Sequence, residues 1–392
     1  MVRVASLFSQ LLSELPRSLF GSLVNEYQAE YAAKGFTCWQ QLVSMLFAHL
    51  AAADSLREIC NGLRCCTGKL SHLGVSAAPK RSTLSYANEH RPHEVYRDFF
   101  FMTLDRMRRT RQLGPRQHKF RFKNKLLSLD STTISLCLSL FPWVRFRRSK
   151  GGIKAHVLLD HDDYLPSYVL ITDAKHSDLK AARLLRLVPG SIVAVDKGYI
   201  DYRLFRAWDE QGVYFVTRQK QNAAYRVLER RALPRNRNIL HDEIIELTST
   251  WGSSKHRPRR LRRVVVWDRE QGREIVLLTN HLEFGASTIA AIYKERWQIE
   301  IFFKTLKQNL KIKTFVGTTE NAVQIQIWTA LLALLLLKWL HYLSKANLSL
   351  PNLASLLRLN LFSYRDLRAW LDDPFQTPPL EPTPEQLQMA FG

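Results

Sequence analysis

The spacing of apolar residues changes near residue 126, and that change restricts the chain to a mixed α/β architecture. Up to about residue 105, apolar positions recur at helical spacing, as in FSQLLSELP and WQQLVSMLFAHLAAA. From KLLSLDSTTISLCLS onward, short apolar runs are bounded by turn residues. GIKAHVLLD and PSYVLITDA flank HDDY and read as a hairpin. SIVAVDKGY and VYFVTRQ read as strands, with DLKAARLLRLV and DYRLFRAWDEQG as helices between them. Three antiparallel strands followed by alternating helices and parallel strands give a mixed sheet. Residues 221–280 interrupt this plan with IIELTST, LRRVVVWD and EIVLLTN, which read as a small basic β subdomain. Residues 293–310 then read as one helix and 319–343 as a long buried one. Residues 352–372 are helical, and the proline-bearing tail from Pro374 is loosely ordered.

Charge narrows the partners. The 392 residues carry 57 Lys and Arg against 35 Asp and Glu, a net +22 with pI ≈ 10.0. Such an excess on a chain able to build a core points to a polyanion, most often nucleic acid. Arg106, Arg108, Arg109, Arg111, Arg116, Lys119, Arg121, Lys123 and Lys125 form a connector expected to meet phosphates. The longest apolar run, Ile327–Leu337, is too short to span a bilayer and reads as core, so no membrane partner is expected. Cys38, Cys60, Cys65, Cys66 and Cys137 fit neither a disulfide framework nor a zinc site. The N-terminus lacks a secretory pattern, and a cytoplasmic location follows as the expectation. Near the N-terminus, Ser55-x-x-Glu58 resembles a capping box and Ser82 a helix cap. The helices they open fit a helix-turn-helix or a plain bundle equally.

The chemistry concentrates in YKERWQIEIFFKTLKQNL. At about 100° per residue, Arg296, Glu300 and Lys307 fall within roughly 60° of Tyr293 on a helical wheel. Ile292, Ile299, Phe303, Leu306 and Leu310 form the adjoining apolar stripe. One carboxylate is thus held at a core edge between cations. Asp130 stands within LLSLDSTTI and Asp196 ends IVAVD, both on apolar strands where an unpaired acid is costly. Acids at strand ends of open α/β sheets lie where ligands bind. Asp130, Asp196 and Glu300 together suit two Mg²⁺ or Mn²⁺ ions and in-line displacement at a phosphodiester. Asp160, Asp162 and Asp163 are better explained by the hairpin turn, and Asp178 by a helix cap.

These residues resemble the insertion-sequence-4-type DDE transposases. The pattern Y-x2-R-x3-E-x6-K is met by Tyr293, Arg296, Glu300 and Lys307, while LLSLDSTTI and IVAVDKGY look like the strands of the first and second aspartates. The resemblance covers about residues 120–345. It implies an RNase H-like catalytic core, an α/β fold with an inserted β subdomain, behind an all-helical N-terminal domain. The expected divisions are 1–115, binding the terminal repeat; 116–220, first part of the core; 221–280, the basic insertion; 281–345, second part of the core with the Glu helix; and 346–392, a helical segment and tail. It also implies metal-dependent cleavage at the ends of an insertion sequence and transfer of 3′-hydroxyl ends into target DNA, with hairpin ends as one route. A nuclease that never joins DNA, and a non-catalytic DNA-binding derivative, are the alternatives. Asp130, Asp196 and Glu300 would be catalytic and hold the metal ions. Tyr293, Arg296 and Lys307 would contact DNA, and the basic insertion adds Lys255, Arg259, Arg260, Arg262 and Arg263. Trp251 and Trp267 are candidates to hold a flipped base, with core packing as the competing role. The partners implied are terminal inverted repeats, target DNA and a second copy at synapsis, in a bacterial, nucleoid-associated setting.

Overall fold

A computed structural model describes residues 5–31, 33–66, 68–113, 119–136, 141, 143, 151–235, 238–248, 260–310 and 315–380. Six helices come first: α1 (Leu7–Ser13), α2 (Arg17–Glu26), α3 (Cys38–Ala51), α4 (Leu56–Arg64), α5 (Arg81–His90) and α6 (Glu94–Arg109). Then follow β1 (Leu126–Leu136), β2 (Gly151–Asp160), β3 (Leu165–Asp173), α7 (Asp178–Arg183), β4 (Ile192–Val195), α8 (Tyr202–Glu210) and β5 (Tyr214–Arg218). Four more strands are β6 (Tyr225–Arg230), β7 (Ile239–Leu247), β8 (Leu261–Asp268) and β9 (Arg273–Thr279). The rest are α9 (Ala286–Glu295), α10 (Trp297–Lys304), α11 (Glu320–Leu343), α12 (Leu350–Asn360) and α13 (Leu367–Asp372).

Two compact units divide the chain: Met1–Pro115 with Lys304–Gly392, and Arg116–Phe303. Residues from Lys304 onward group with the helices rather than with the sheet.

In the helical unit, α3 opens with a reciprocal box: the Thr37 side chain accepts from Gln40 N, and the Gln40 side chain from Thr37 N. At α4, Ser55 Oγ accepts from Glu58 N at 3.2 Å, but the Glu58 carboxylate returns to Asp54 N at 2.8 Å rather than to the Ser55 backbone N–H. Ser82 does not cap α5. The helix begins one residue earlier, with Lys80 as N-cap. Residues 65–80 join α4 to α5 through a 3-10 turn at Ser71–Leu73, anchored where Trp39 Nε1 donates to Leu73 O at 2.9 Å. That is longer than the tight turn of a helix-turn-helix. α11 runs for 24 residues, well beyond the apolar run seen in the sequence. It is long and apolar enough to cross a membrane, and 89% of its most apolar window is buried in the protein. His49 ties α3 to it: one ring nitrogen lies 3.0 Å from Thr329 Oγ1, the other 3.2 Å from Leu310 O.

The second unit is built on a nine-stranded sheet of order β3-β2-β1-β4-β5-β9-β8-β7-β6. β1, β2 and β3 are antiparallel, while β4 and β5 run parallel to β1. These five strands are the RNase H-like core. The expected separate β subdomain is instead a continuation of the same sheet, since β9 pairs with β5 and carries β8, β7 and β6 outward. The sequence suggested three strands here and missed β6, YRVLER, whose apolar residues are interrupted by charges and almost all exposed. Side chains alternate faces along each strand. Leu127, Leu129, Val193 and Val195 pack with Leu204, Phe205 and Trp208 of α8 on one face. Leu126, Ile192, Ala194 and Val216 pack with Ile289, Ile292 and Tyr293 of α9 on the other.

Candidate active site

The alternation just described places Asp130 and Asp196 on the α9 face. Leu126 and Ile192 face α9, so residues an even number of steps further along each strand do too. β1 and β4 stay paired from Leu126↔Ile192 to Leu129↔Val195. β4 then stops, β1 runs on, and the two aspartates flank the point where parallel pairing ends. Such a point is the usual ligand crevice of an open sheet. Glu300 reaches the same place from α10. Burial chiefly, with Asp196 and Glu300 adding their charges, pushes the Asp130 carboxyl up to about 6, against the Ser131 N–H and Arg296. Asp196 and Glu300 therefore both lie close enough to Asp130 to raise its carboxyl.

Arg296 stands among them. Its guanidinium lies 2.8 Å from Glu300 Oε1 and 3.5 Å from Asp130 Oδ2. The helix expected over 293–310 is broken: α9 ends at Glu295, α10 begins at Trp297, and Thr305–Asn309 forms a π-helical turn. Uniform helical spacing thus fails beyond Lys304. Tyr293, Arg296 and Glu300 still share one locality, and the neighbouring stripe of Ile292, Ile299, Phe303, Leu306 and Leu310 is buried as expected. Lys307 lies in the π turn, within the helical unit.

Tyr293 and Arg296 are joined by a residue the sequence reading passed over. Arg218, at the end of β5, holds its guanidinium 5.5 Å from the centre of the Tyr293 ring, and Arg296 lies 5.6 Å from it. Arg218 Nε, Arg296 Nε and the Tyr293 hydroxyl are buried and make no hydrogen bond among the described residues. Burial pushes the Tyr293 phenol up while the two guanidinium groups oppose it. Three unspent donors beside three acids form a place suited to anionic oxygens. The signal available in the sequence was a cation ending an apolar strand, VYFVTR, as Asp196 ends IVAVD. Trp297, next to Arg296, is also notable, for it is 59% exposed on α10.

The insertion residues separate into different environments. Arg262, expected at phosphates, is buried: Nε and Nη2 donate to Asp242 at 2.8 and 2.7 Å, and Nη1 reaches the carbonyls of Leu282 and Phe284. Its donors are spent inside the protein. Arg263 bonds Glu243 at 2.9 Å and Gln219 at 3.1 Å, whereas Arg260 is exposed. Trp267 is 40% exposed on β8 and so is not a core residue. Trp251, Lys255 and Arg259 lie outside the described residues. In the basic connector, Lys125 pairs with buried Asp160 at 2.7 Å and Lys119 with buried Glu295. Asp178 does not cap α7, whose N-cap is Ser177.

Among the described residues, no three His, Cys, Asp or Glu side chains are grouped closely enough to hold a metal ion as they stand. The donor set nevertheless has the right chemistry. Crowded carboxylates with incomplete neutralisation suit a hard divalent cation, and Arg296 stands in for part of that positive charge.

A Transposase DDE domain matches residues 121–336, and a Domain of unknown function (DUF4372) matches residues 3–76. The chain is 33% identical over 326 residues to the transposase named y4zB from Sinorhizobium fredii, covering 80% of this chain and 87% of that protein. It is 29% identical over 272 residues to a Geobacillus stearothermophilus transposase named for insertion sequence element IS5377, covering 69% and 70% of the two chains. A Synechocystis transposase named for insertion sequence element IS4SA is 30% identical over 270 residues, covering 66% and 71%. A DDE domain implies divalent-metal chemistry on DNA. The chain belongs to the DDE transposase family.

Proposed function

We propose that this protein cuts DNA at the ends of an insertion sequence and joins the freed 3′-hydroxyl ends to target DNA. What supports the reading is that Asp196 and Glu300 both lie near enough to Asp130 to raise its carboxyl, beside the unbonded Nε groups of Arg218 and Arg296. Asp130, Asp196 and Glu300 would hold two Mg²⁺ or Mn²⁺ ions. Such ions, when bound, activate the attacking water or 3′-hydroxyl and neutralise the leaving oxygen. Arg296 gives up its bridge between Asp130 and Glu300 and turns to the scissile phosphate. Arg218 and Tyr293 hold the neighbouring phosphate through their free N–H and O–H groups, which aligns the strand for in-line attack. Lys307, Arg260 and Arg263 add phosphate contacts, and exposed Trp297 offers a ring to an unstacked base. Two copies would hold the two ends together, and the work is done where the bacterial chromosome lies.

The test uses full-length protein, Mg²⁺ and DNA carrying the element's terminal repeats. Cutting followed by joining is expected, with loss of at least a hundredfold for Asp130→Asn, Asp196→Asn or Glu300→Ala at unchanged DNA affinity. Retained cleavage in Glu300→Ala would remove the mechanism. Cleavage without any joined product would reassign the chain as a nuclease.

A further inference from the structure

The proposed chemistry leaves unused a buried carboxylate one residue from Arg296. Glu295 is the last residue of α9 and only 5% exposed. Two segments from elsewhere in the sheet unit hold it. Lys119, in the basic connector ahead of β1, donates its ammonium to Glu295 Oε1. Tyr164, in the turn joining β2 to β3, donates its hydroxyl to Oε2 at 3.4 Å. Tyr164 sits at φ +54°, a left-handed conformation that a bulky side chain rarely adopts and that costs free energy. The turn is itself fixed to β1: the His161 N–H donates to Leu126 O at 3.1 Å, and His161 Nε2 lies 2.7 Å from Ser128 Oγ. The connector is fixed as well. Lys125 pairs with Asp160 at 2.7 Å, and the Phe122 ring stacks on Phe284, just ahead of α9, with centroids 4.8 Å apart. The connector thus grips α9 near both ends.

An acid in the last turn of a helix opposes the helix dipole, and a buried one needs a partner. Glu295 therefore does nothing for α9 itself, and both of its partners lie outside that helix. The backbone breaks immediately after it, at Arg296, whose side chain reaches Glu300 and Asp130. We propose that Glu295 is a positioning residue for the DNA-cutting chemistry. Clamped by Lys119 and Tyr164, it sets the α9–α10 junction so that Arg296 and Glu300 meet Asp130. Asp130 lies on β1, and the connector and turn that supply the clamp are joined to β1. Both sides of the site are therefore referred to one strand. Without the clamp α10 pivots at the junction, and a shift of about 1 Å at a reacting group costs about a hundredfold in rate. The same pairing removes Lys119 from the cations that meet phosphates. The inference rests on the proposed function.

The experiment compares full-length wild type with Glu295→Ala, Lys119→Met, Lys119→Arg and the double variant that joins the first two. Cleavage kinetics with Mg²⁺ on terminal-repeat DNA, DNA affinity and thermal unfolding are measured, the kinetics well below the lowest Tm. Glu295→Ala and Lys119→Met are each expected to lower kcat by about tenfold to a hundredfold, with KM for DNA unchanged. The double variant should be no worse than the more impaired single variant, because the two residues form one contact. Lys119→Arg, which keeps the cation, should retain most of the wild-type rate. Wild-type kcat in either single variant overturns the proposal even where Tm falls, since the contact is then structural alone. A raised KM at unchanged kcat in Lys119→Met overturns it in favour of a phosphate contact, and losses that multiply in the double variant overturn it too. If Glu295→Ala fails to fold, Lys119→Met, at a largely exposed side chain, and Tyr164→Phe, which removes one hydroxyl, decide by the same criteria. A wild type that does not cut DNA overturns the proposed function itself, a different outcome from a wild type that cuts and is matched by its variants.

Discussion

Asp130 is held in a state that favours its proton. An aspartate ordinarily titrates near 3.8, and burial with two acid neighbours moves Asp130 to about 6. The folded chain therefore binds this proton more tightly than the unfolded chain. The contribution to stability is complete below pH 3.8 and is lost as pH rises through about 6. At pH 8 with chelator, ionised Asp130 costs the fold up to roughly 3 kcal/mol. Asp130→Asn should then raise the Tm at pH 8 in EDTA and give no gain below pH 4, as read by thermal unfolding across pH. A variant that melts with the wild type at every pH counts against the crowding described here. Divalent cation should shrink the difference by stabilising the wild type alone.

At the scale of elements, the paired strands β7 and β8 hold an ion pair that resembles a DNA contact only in sequence. Arg262→Ala leaves Asp242 buried without its cation and should cost about 3–5 kcal/mol in urea unfolding. Its effect on the salt dependence of DNA binding should be nil. Arg260→Ala should do the opposite, leaving stability alone and lowering the salt slope by about 1. Salt titrations and denaturation curves on both variants separate the roles. SSKHRPRRLRR could not distinguish them, because strand alternation turns Arg262 inward and its partner Asp242 sits on another strand. The strands β1 to β5 were legible, since buried strands give short apolar runs bounded by turns. β6 was not: at the edge of the sheet its Val227 and Leu228 stand exposed among charges and give no buried run. The acids were legible because an aspartate on an apolar strand is conspicuous. Arg218 and Glu295 were not, for their meaning lies in what other segments bring beside them. The break after Glu295 and the π turn after Lys304 also left no mark in the apolar spacing, which remains in phase through Leu310.

The molecule as a whole should weaken in mild acid. Burial lowers His49 in the helical unit and His161 in the sheet unit from 6.5 to about 4. Each is neutral when folded and protonates readily when unfolded. Their stabilisation is present above pH 6.5 and is lost as pH falls through about 4, up to about 3 kcal/mol apiece. His49→Gln should flatten the acid limb of the stability curve between pH 6.5 and 4, and a limb unchanged in slope would exclude His49 as a source. Asp130 works in the reverse direction over the same window, so acid sensitivity should be steeper in Asp130→Asn.

The nine-stranded sheet has a further consequence, for polymerisation. Adding β9, β8, β7 and β6 beside β5 moves the open edge outward, so that β6 is an edge strand among the described residues. A bare edge is a template on which another chain can grow. β6 is poorly suited to that. Its register shifts between Val227 and Glu229, and Arg226, Glu229 and Arg230 leave both of its faces charged and exposed. Replacing these three by threonine should make the protein sediment with time and bind amyloid dyes faster than the wild type. The charges on β6 thus bring the growth of the sheet to an end.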